Sequence, residues 1–184
     1  MGKVADPQNI STTVKAAGGG ADITFLSGIN GEPSKYQRDI IQHICEKSWE
    51  NEPTVGEVLR AKNVSFEDYM TFCQGDLLGI MKIESGFNCN AENVLTKREK
   101  SYGCFQIRLD MPSRKHITIK EAKDLFYSSA WTISRLVGNG WLPRTINGKI
   151  NRYSVQCHNG CNANNGYWQN AVAWSNQFIK KYDL

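Results

Sequence analysis

The chain has 184 residues, of which 40% are hydrophobic, 22% charged and 10% aromatic. This composition excludes disordered, collagen-like and coiled-coil chains, and the length predicts one compact domain. No segment approaches the roughly 18 uncharged apolar residues of a membrane-spanning helix, so we expect a soluble protein without a membrane span.

Basic residues are concentrated in the second half of the chain. Residues 1–100 contain 11 basic and 14 acidic residues, whereas residues 101–184 contain 11 basic and 4 acidic residues. A positive field of this kind attracts polyanions, and both nucleic acid and an acidic cell-wall polymer are candidates. Nucleic acid is the weaker candidate, because no helix shows a basic face with interleaved aromatic residues.

Residues 1–34 are rich in glycine and small polar residues and show no sustained periodicity, which predicts a flexible N-terminal arm. This segment has no apolar core of signal-peptide length, so we expect no classical signal peptide. We expect a single domain over residues 35–184, with a helical lead-in at 35–75 and the core at 76–184.

Capping patterns predict the helix starts. Ser34 with Gln37, Thr54 with Glu57, and Thr118 with Glu121 are spaced as capping boxes, and Ser65 and Asp76 are further N-cap candidates. The helix after Thr118 is expected to continue to Gly138. A last amphipathic helix carries the set Tyr167, Ala171, Trp174 and Phe178 on one face.

Few strands are predicted, and the fold class is therefore mainly α. Residues 87–117 show no clear periodicity and are expected to be irregular. Asn147 and Gly148 predict a small β-hairpin.

Six cysteines allow 15 pairings, so the connectivity stays open at this point. A zinc site at Cys157, His158 and Cys161 is a weak alternative, because the spacing lacks a matching second pair. We expect no metal and no cofactor.

Glu84 is the first candidate for catalysis. It follows Leu77, Ile80 and Met81 on the apolar stripe of a helix that ends at Ser85 and Gly86. Burial and the negative end of the helix dipole both raise the pKa of a carboxyl group in this position. A carboxyl group with a raised pKa is suited to general acid catalysis. The alternative is a surface glutamate that reaches solvent at the edge of the stripe.

Two segments carry a family resemblance, LLGIMKIESGFN at 77–88 and SYGCFQI at 101–107. They resemble the lytic transglycosylases, lysozyme-like enzymes that cleave peptidoglycan. The shared pattern is a helix ending in Glu-Ser, followed by an aromatic residue and Asn, and then Ser-x-Gly-x-x-Gln-Ile. The matching residues are Glu84, Ser85, Phe87, Asn88, Ser101, Gly103, Gln106 and Ile107. Residues 125–137 and the last helix are also similar, so the resemblance covers roughly residues 75–180.

Two segments depart from the family pattern. The stretch between Asn88 and Ser101 is longer and contains four consecutive charged residues, at 97–100. The Tyr-Asn-x-Gly motif appears only approximately, as Cys-His-Asn-Gly at 157–160, and Tyr153 is a candidate substitute for its tyrosine.

The resemblance implies a lysozyme-like fold and cleavage of the β-1,4 bond between N-acetylmuramic acid and N-acetylglucosamine, with an anhydromuramic product. Glu84 would be the single catalytic residue, and Ser85 would orient its carboxyl group. The substrate-binding candidates are Ser85, Tyr102, Gln106, Tyr153, Asn159 and Tyr167. Phe105 and Trp141 are weaker candidates for contacts with sugar rings, and Phe87 is expected to be core. Cys89 and Cys104 flank the long loop and could pair across it; the alternative is that Cys104 is a small buried residue.

Two functional alternatives stay open. The enzyme could be a hydrolytic lysozyme, for which Glu92, Glu99 and Asp110 are candidate second carboxylates. The protein could also be a noncatalytic structural or peptidoglycan-binding module of a virion or secretion assembly. Residues 1–75 could bind other virion or assembly proteins. The expected localisation is in a phage virion or, after delivery, in the host periplasm; a secretion-system enzyme is the nearest alternative.

Overall fold

A computed structural model describes residues 31–51, 53–96, 99–137, 150, 152–160 and 165–184. The described chain is mainly helical and contains a small antiparallel sheet of three strands. The prediction of a mainly α protein is therefore confirmed. The hairpin predicted at Asn147 and Gly148 lies outside the described residues.

Seven α-helices and three strands follow one another in the described residues. The helices are α1 (Lys35–Asn51), α2 (Pro53–Ala61), α3 (Phe66–Ser85), α4 (Ile119–Lys123), α5 (Leu125–Leu136), α6 (Gln156–Asn159) and α7 (Tyr167–Tyr182). The strands are β1 (Glu92–Thr96), β2 (Glu99–Tyr102) and β3 (Ile107–Arg108). Two short 3-10 helices lie at Pro112–Arg114 and Arg152–Val155.

Three of the predicted helix caps are confirmed. Ser34 and Gln37 exchange hydrogen bonds at the start of α1. Ser65 accepts a hydrogen bond from the backbone N–H of Asp68, and Thr118 forms a capping box with Glu121. Each cap satisfies backbone N–H groups that the first turn of a helix leaves without partners. At α2 the prediction was wrong by a residue or two, because this helix begins at Pro53 and Thr54 lies inside it.

Asp76 does not begin a helix, contrary to the prediction. Helix α3 begins ten residues earlier, at Phe66, and runs without interruption to Ser85. The lead-in and the core that we expected to meet at residues 75 and 76 therefore share one helix. Asp76 is buried in the middle of α3, where an arginine from another segment neutralises its charge.

Residues 87–117 are more regular than expected. Strand β2 pairs antiparallel with β1 through Glu92 and Tyr102, and with β3 through Tyr102 and Ile107. The strands are only two to five residues long, so alternation between polar and apolar residues was too short to reveal them.

The single helix predicted after Thr118 is two helices. Helix α4 ends at Lys123, and Asp124 has an extended backbone and caps α5 by accepting a hydrogen bond from the N–H of Tyr127 at 2.7 Å. Aspartate is a preferred N-cap residue, so Asp124 starts a new helix in place of continuing the old one.

Helix α3 lies at the centre of the fold, between α1 and α7. Glycines allow α7 to approach α3 closely: a Cβ atom at Gly79 would meet the carbonyl oxygen of Ala171, and one at Gly75 would meet the side chains of Ser175 and Ile179. Phe87 lies in this core and contacts the ring of Phe178, with 5.6 Å between the ring centroids. The expectation that Phe87 is a core residue is confirmed.

A buried ion pair joins α3, α7 and the 3-10 helix Arg152–Val155. The guanidinium group of Arg152 donates to Oδ1 of Asp76 at 2.5 Å, and to Oδ1 of Asn176 at 2.6 Å. The hydroxyl group of Ser175 donates to the same Asp76 oxygen at 3.0 Å. The Asp76 side chain is fully buried, so this pair is shielded from solvent.

Disulfides reinforce the packing. Cys45–Cys73 links α1 to α3, and Cys89–Cys104 closes the loop that contains β1 and β2, which confirms the pairing suggested across this loop. Cys157 is also disulfide-bonded, to a partner outside the described residues.

Gly31 and Glu32, near the C-terminal end of the predicted arm, contact α3 and α7. The ammonium group of Lys82 donates to the carbonyl oxygen of Gly31 at 2.7 Å, and the hydroxyl group of Tyr182 donates to Glu32 at 2.7 Å. Residues 1–30 lie outside the described part of the chain. Among the described residues, no helix has the length and apolar character needed to cross a membrane.

We predict that Asp76→Ala lowers the free energy of unfolding by about 3 to 5 kcal/mol, because it leaves the Arg152 charge buried without its partner. Urea denaturation with the disulfides intact measures the effect. Asp39→Ala, which removes the exposed ion pair with Lys35, is the control and should cost about 0.5 kcal/mol. Equal losses of unfolding free energy in both variants would contradict the assignment of Asp76 and Arg152 as a buried ion pair.

Candidate active site

Glu84 lies in the last turn of α3, as the sequence predicted. Gly86 ends the helix in the left-handed conformation, with φ of 58°, and its N–H caps the carbonyl groups of Lys82 and Met81. Only 17% of the Glu84 side-chain surface is exposed, and that part faces a cleft. The alternative of a glutamate that reaches bulk solvent at the edge of the stripe is therefore wrong.

Tyr167 is the main polar partner of Glu84. Its hydroxyl group donates a hydrogen bond of 2.7 Å to Oε1 of Glu84. Tyr167 begins α7 and is itself buried, so the close packing of α7 on α3 brings the two side chains together. The sequence predicted Tyr167 as a substrate-binding residue. In the structure it holds the Glu84 carboxyl group.

The pKa of Glu84 is raised from 4.5 to about 7. Burial is the main cause, since it penalises the charged form, and the hydrogen bond from Tyr167 opposes it by stabilising the carboxylate. Burial, followed by the neighbouring Glu84, also raises the pKa of Tyr167 well above its usual value, so its hydroxyl group stays protonated as a donor. Near neutral pH, Glu84 can both hold and release a proton.

His158 lies next to this pair. Its Nε2 atom lies 2.7 Å from the carbonyl oxygen of Phe105 and 3.7 Å from Oε1 of Glu84. A carbonyl oxygen only accepts hydrogen bonds, so Nε2 carries the proton and Nδ1 does not. Burial lowers the pKa of His158 to about 4. At neutral pH, therefore, His158 is uncharged and does not form an ion pair with Glu84.

The cleft has a cavity volume of about 360 Å³, within the range of ligand-binding pockets. Its walls come from the end of α3, the sheet, the segment at residues 111–114, α5 and the segment at residues 158–160. The residues that line it include Glu84, Glu99, Gln106, Arg114, Trp131, Arg135, His158 and Asn159.

Ser85 does not hydrogen-bond the Glu84 carboxyl group, contrary to the implied role. Its hydroxyl group lies 2.9 Å from the carbonyl oxygen of Cys104 and 3.3 Å from that of Met81. These bonds attach the end of α3 to the loop before β3. Ser85 thus fixes the backbone that carries Glu84.

Gln106 and Asn159 both line the cleft, as expected for substrate-binding residues. Gln106 has a positive φ of 46°, which is uncommon outside glycine, and its amide nitrogen donates to the carbonyl oxygen of Gly103 at 2.9 Å. The amide of Gln106 is therefore partly engaged in holding its own loop.

Other predicted contact residues lie elsewhere. Tyr102 is buried and Tyr153 packs edge-on against Trp168, with 5.4 Å between the ring centroids; neither is among the described residues that line the cleft. Phe105 is fully buried, which makes it a core residue and not a sugar platform. Trp141 lies outside the described residues.

Of the candidate second carboxylates, Glu99 alone is among the described residues that line the cleft. Glu92 is exposed and pairs with Lys123 at 2.5 Å. Asp110 pairs with Arg108 at 2.6 Å, which lowers the pKa of Asp110 to about 2.

In the described residues, no group of three His, Cys, Asp or Glu side chains is placed to bind a metal ion. The zinc alternative at Cys157 is contradicted, because this cysteine is disulfide-bonded and supplies no thiolate.

Sequence reasoning missed two features of the cleft. The sequence indicates His158 only as a zinc ligand and as part of the segment at 157–160, and it gives no indication of the pair Arg114 and Arg135. The only signal for His158 was its position in the segment that replaces Tyr-Asn-x-Gly. No local pattern connects Arg114 with Arg135, which are 21 residues apart and meet only in the folded chain.

No protein-family model, curated protein or solved structure matches the chain.

We predict that Glu84→Gln stabilises the protein increasingly as the pH rises. The folded state holds the Glu84 proton more tightly than the unfolded state, so ionisation lowers wild-type stability between pH 4.5 and about pH 7. The neutral amide removes this cost. The variant should match the wild type at pH 4 and exceed it by up to about 3 kcal/mol at pH 8 in chemical denaturation.

Glu92→Gln is the matched control, because it makes the same chemical change at an exposed carboxyl group. It should not reproduce the stabilisation at pH 8. If Glu84→Gln gives the same stability difference from the wild type at pH 4 and pH 8, the raised pKa of Glu84 is wrong.

Proposed function

We propose that the protein is a peptidoglycan lytic transglycosylase with a lysozyme-like fold. The observation that supports this proposal most directly is a buried glutamate with a pKa of about 7 at a helix end, facing a cleft of suitable size. The motif that resembles the family surrounds the same glutamate. The substrate is the glycan strand of peptidoglycan.

In this proposal Glu84 acts first as an acid. Its proton passes to the oxygen that links N-acetylmuramic acid to N-acetylglucosamine, and the bond between this oxygen and the anomeric carbon breaks. The acetamido oxygen of the muramoyl residue supports the positive charge that forms at that carbon. The hydrogen bond from Tyr167 then stabilises the Glu84 carboxylate.

Glu84 then acts as a base. The carboxylate takes the proton of the muramoyl C6 hydroxyl group, and the C6 oxygen bonds to the anomeric carbon as the acetamido oxygen leaves it. The product is an anhydromuramic end, and no water is consumed. A pKa near 7 suits both steps, because one residue must give and regain a proton at the same pH.

The arrangement around Glu84 supports the use of a single carboxyl group. Among the described residues, the Glu84 carboxyl group has polar contacts with Tyr167 and His158, both uncharged at neutral pH, and no ion pair or hydrogen bond with another carboxylate. Hydrolysis by a lysozyme mechanism is the second candidate, and the position of Glu99 in the same cleft favours it.

The disulfides bear on where the protein acts. Disulfides persist in oxidising compartments such as the bacterial periplasm and on virion surfaces, and they are rare in the cytosol. This agrees with the proposed sites of action, a phage virion or the host periplasm, where the peptidoglycan lies.

The decisive experiment is digestion of purified peptidoglycan sacculi, followed by mass analysis of the soluble muropeptides. Anhydromuramic ends are expected. Reducing ends together with loss of activity in Glu99→Gln would establish the hydrolytic alternative. Binding to sacculi without any product would establish a noncatalytic module.

We predict that Glu84→Gln lowers the rate of cleavage at least about 100-fold, because the amide cannot donate the proton. Release of soluble muropeptides over time measures the rate. Glu92→Gln should keep the wild-type rate, since Glu92 is not among the described residues of the cleft. Full activity in Glu84→Gln would remove this residue from the mechanism.

We predict that Tyr167→Phe shifts the high-pH limb of the rate profile to higher pH. Loss of the hydroxyl group removes the hydrogen bond that lowers the pKa of Glu84, so the carboxyl group stays protonated at higher pH. Rates measured from pH 5 to pH 9 test this. Tyr182→Phe, at the other end of α7, is the control and should leave the profile in place; an unshifted profile in Tyr167→Phe would contradict its role.

A further inference from the structure

Two arginines in the cleft lie against one tryptophan ring. The guanidinium carbon of Arg114 lies 5.0 Å from the ring centroid of Trp131, and that of Arg135 lies 5.6 Å from the same centroid. All three side chains line the cleft that contains Glu84. The ring holds both cations in place by cation–π attraction.

Neither arginine has a carboxylate partner among the described residues. The nearby acids, Asp110 and Glu99, pair with Arg108, at 2.6 Å and 3.8 Å. Among the described residues, Arg114 donates to the carbonyl oxygen of Arg108, at the long distance of 3.4 Å, and Arg135 donates to the carbonyl oxygen of Cys157. Carbonyl groups accept hydrogen bonds from the guanidinium groups but do not neutralise their positive charge.

Burial makes this arrangement costly without an anion. Arg114 is only 7% exposed. Its pKa is lowered to about 10, first by burial and then by the charges of Arg135 and Arg108, so it remains charged at neutral pH. Burial also lowers the pKa of Arg135. Two like charges in a partly desolvated wall favour an external anion that neutralises both.

The arginine pair also lies close to the catalytic groups. The charges of Arg135 and Arg114 both contribute to the lowered pKa of His158, whose Nε2 atom lies 3.7 Å from Glu84. The arginine pair and Glu84 line the same cleft, so a single ligand can contact both.

We propose that Arg114 and Arg135 form a carboxylate-binding subsite that recognises the acidic substituent on the muramoyl residue. This inference rests on the proposed function and names the part of the substrate that the cleft selects. The shared chemistry is a carboxylate, which comes either from the lactyl group of an unsubstituted muramoyl residue or from its peptide stem. A guanidinium group matches the two oxygens of a carboxylate.

The test measures affinity by calorimetry with the Glu84→Gln variant, in which cleavage is expected to be too slow to deplete the ligand. The probes are a glycan tetrasaccharide with free lactyl carboxylates, the same tetrasaccharide with these groups converted to amides, a tetrasaccharide bearing peptide stems, and chitotetraose. The free carboxylate should bind at least about tenfold more tightly than its amide and than chitotetraose. If only the peptide-bearing tetrasaccharide shows this preference, the stem is the source of the carboxylate.

Arg114→Met in the same background should abolish the preference for the carboxylate. Lys115→Met is the matched control, since it removes the same charge from the exposed neighbouring residue and should keep the preference. Arg114→Lys should retain part of it. If Arg114→Met fails to fold, Arg135→Lys provides the second test, because it keeps the charge but loses the paired geometry.

Equal affinity for the acid, the amide, the peptide-bearing tetrasaccharide and chitotetraose would overturn the subsite, whether or not the protein cleaves sacculi. A preference for the carboxylate that Arg114→Met leaves unchanged would overturn it as well. Absence of cleavage combined with an arginine-dependent preference would instead reject the transglycosylase and keep the subsite, so the two proposals fail separately.

Discussion

The hydrogen bond between Tyr167 and Glu84 depends on the packing of α7 against α3. Glu84 lies in the last turn of α3 and Tyr167 begins α7, so the 2.7 Å contact requires one register of the two helices. Burial of Glu84 raises the pKa of its carboxyl group, and the tyrosine limits that rise. The protonation of the site thus follows directly from helix packing.

The backbone around Glu84 is fixed from several directions. Gln37, which caps α1, also donates from its amide nitrogen to the carbonyl oxygen of Phe87 at 2.8 Å. Ser85 attaches the helix end to the loop at Cys104, and the disulfide from Cys104 to Cys89 returns to the segment that follows the helix. A carboxyl group held this way needs little reorganisation when a ligand binds.

Local sequence patterns predicted those features that depend on residues close together in the chain. Residues within a turn or two of one another determine the caps at Ser34, Ser65 and Thr118, the left-handed Gly86 and the position of Glu84 on the apolar stripe of its helix. The salt bridge from Asp76 to Arg152, the contact of His158 with the site and the pairing of three short strands depend on residues far apart in sequence. Those features could not be predicted from local patterns. At Asp76, for example, an aspartate that caps a helix and one that is buried in a helix have the same local signature.

The contact between α3 and α7 has a further consequence at Gly79. A side chain at this position would collide with the carbonyl oxygen of Ala171, so main-chain atoms set the spacing of the two helices there. A larger residue at position 79 would therefore move α7 away from α3 and separate Tyr167 from Glu84. Redesign of the cleft for other ligands should accordingly keep this glycine and alter the walls that other elements supply.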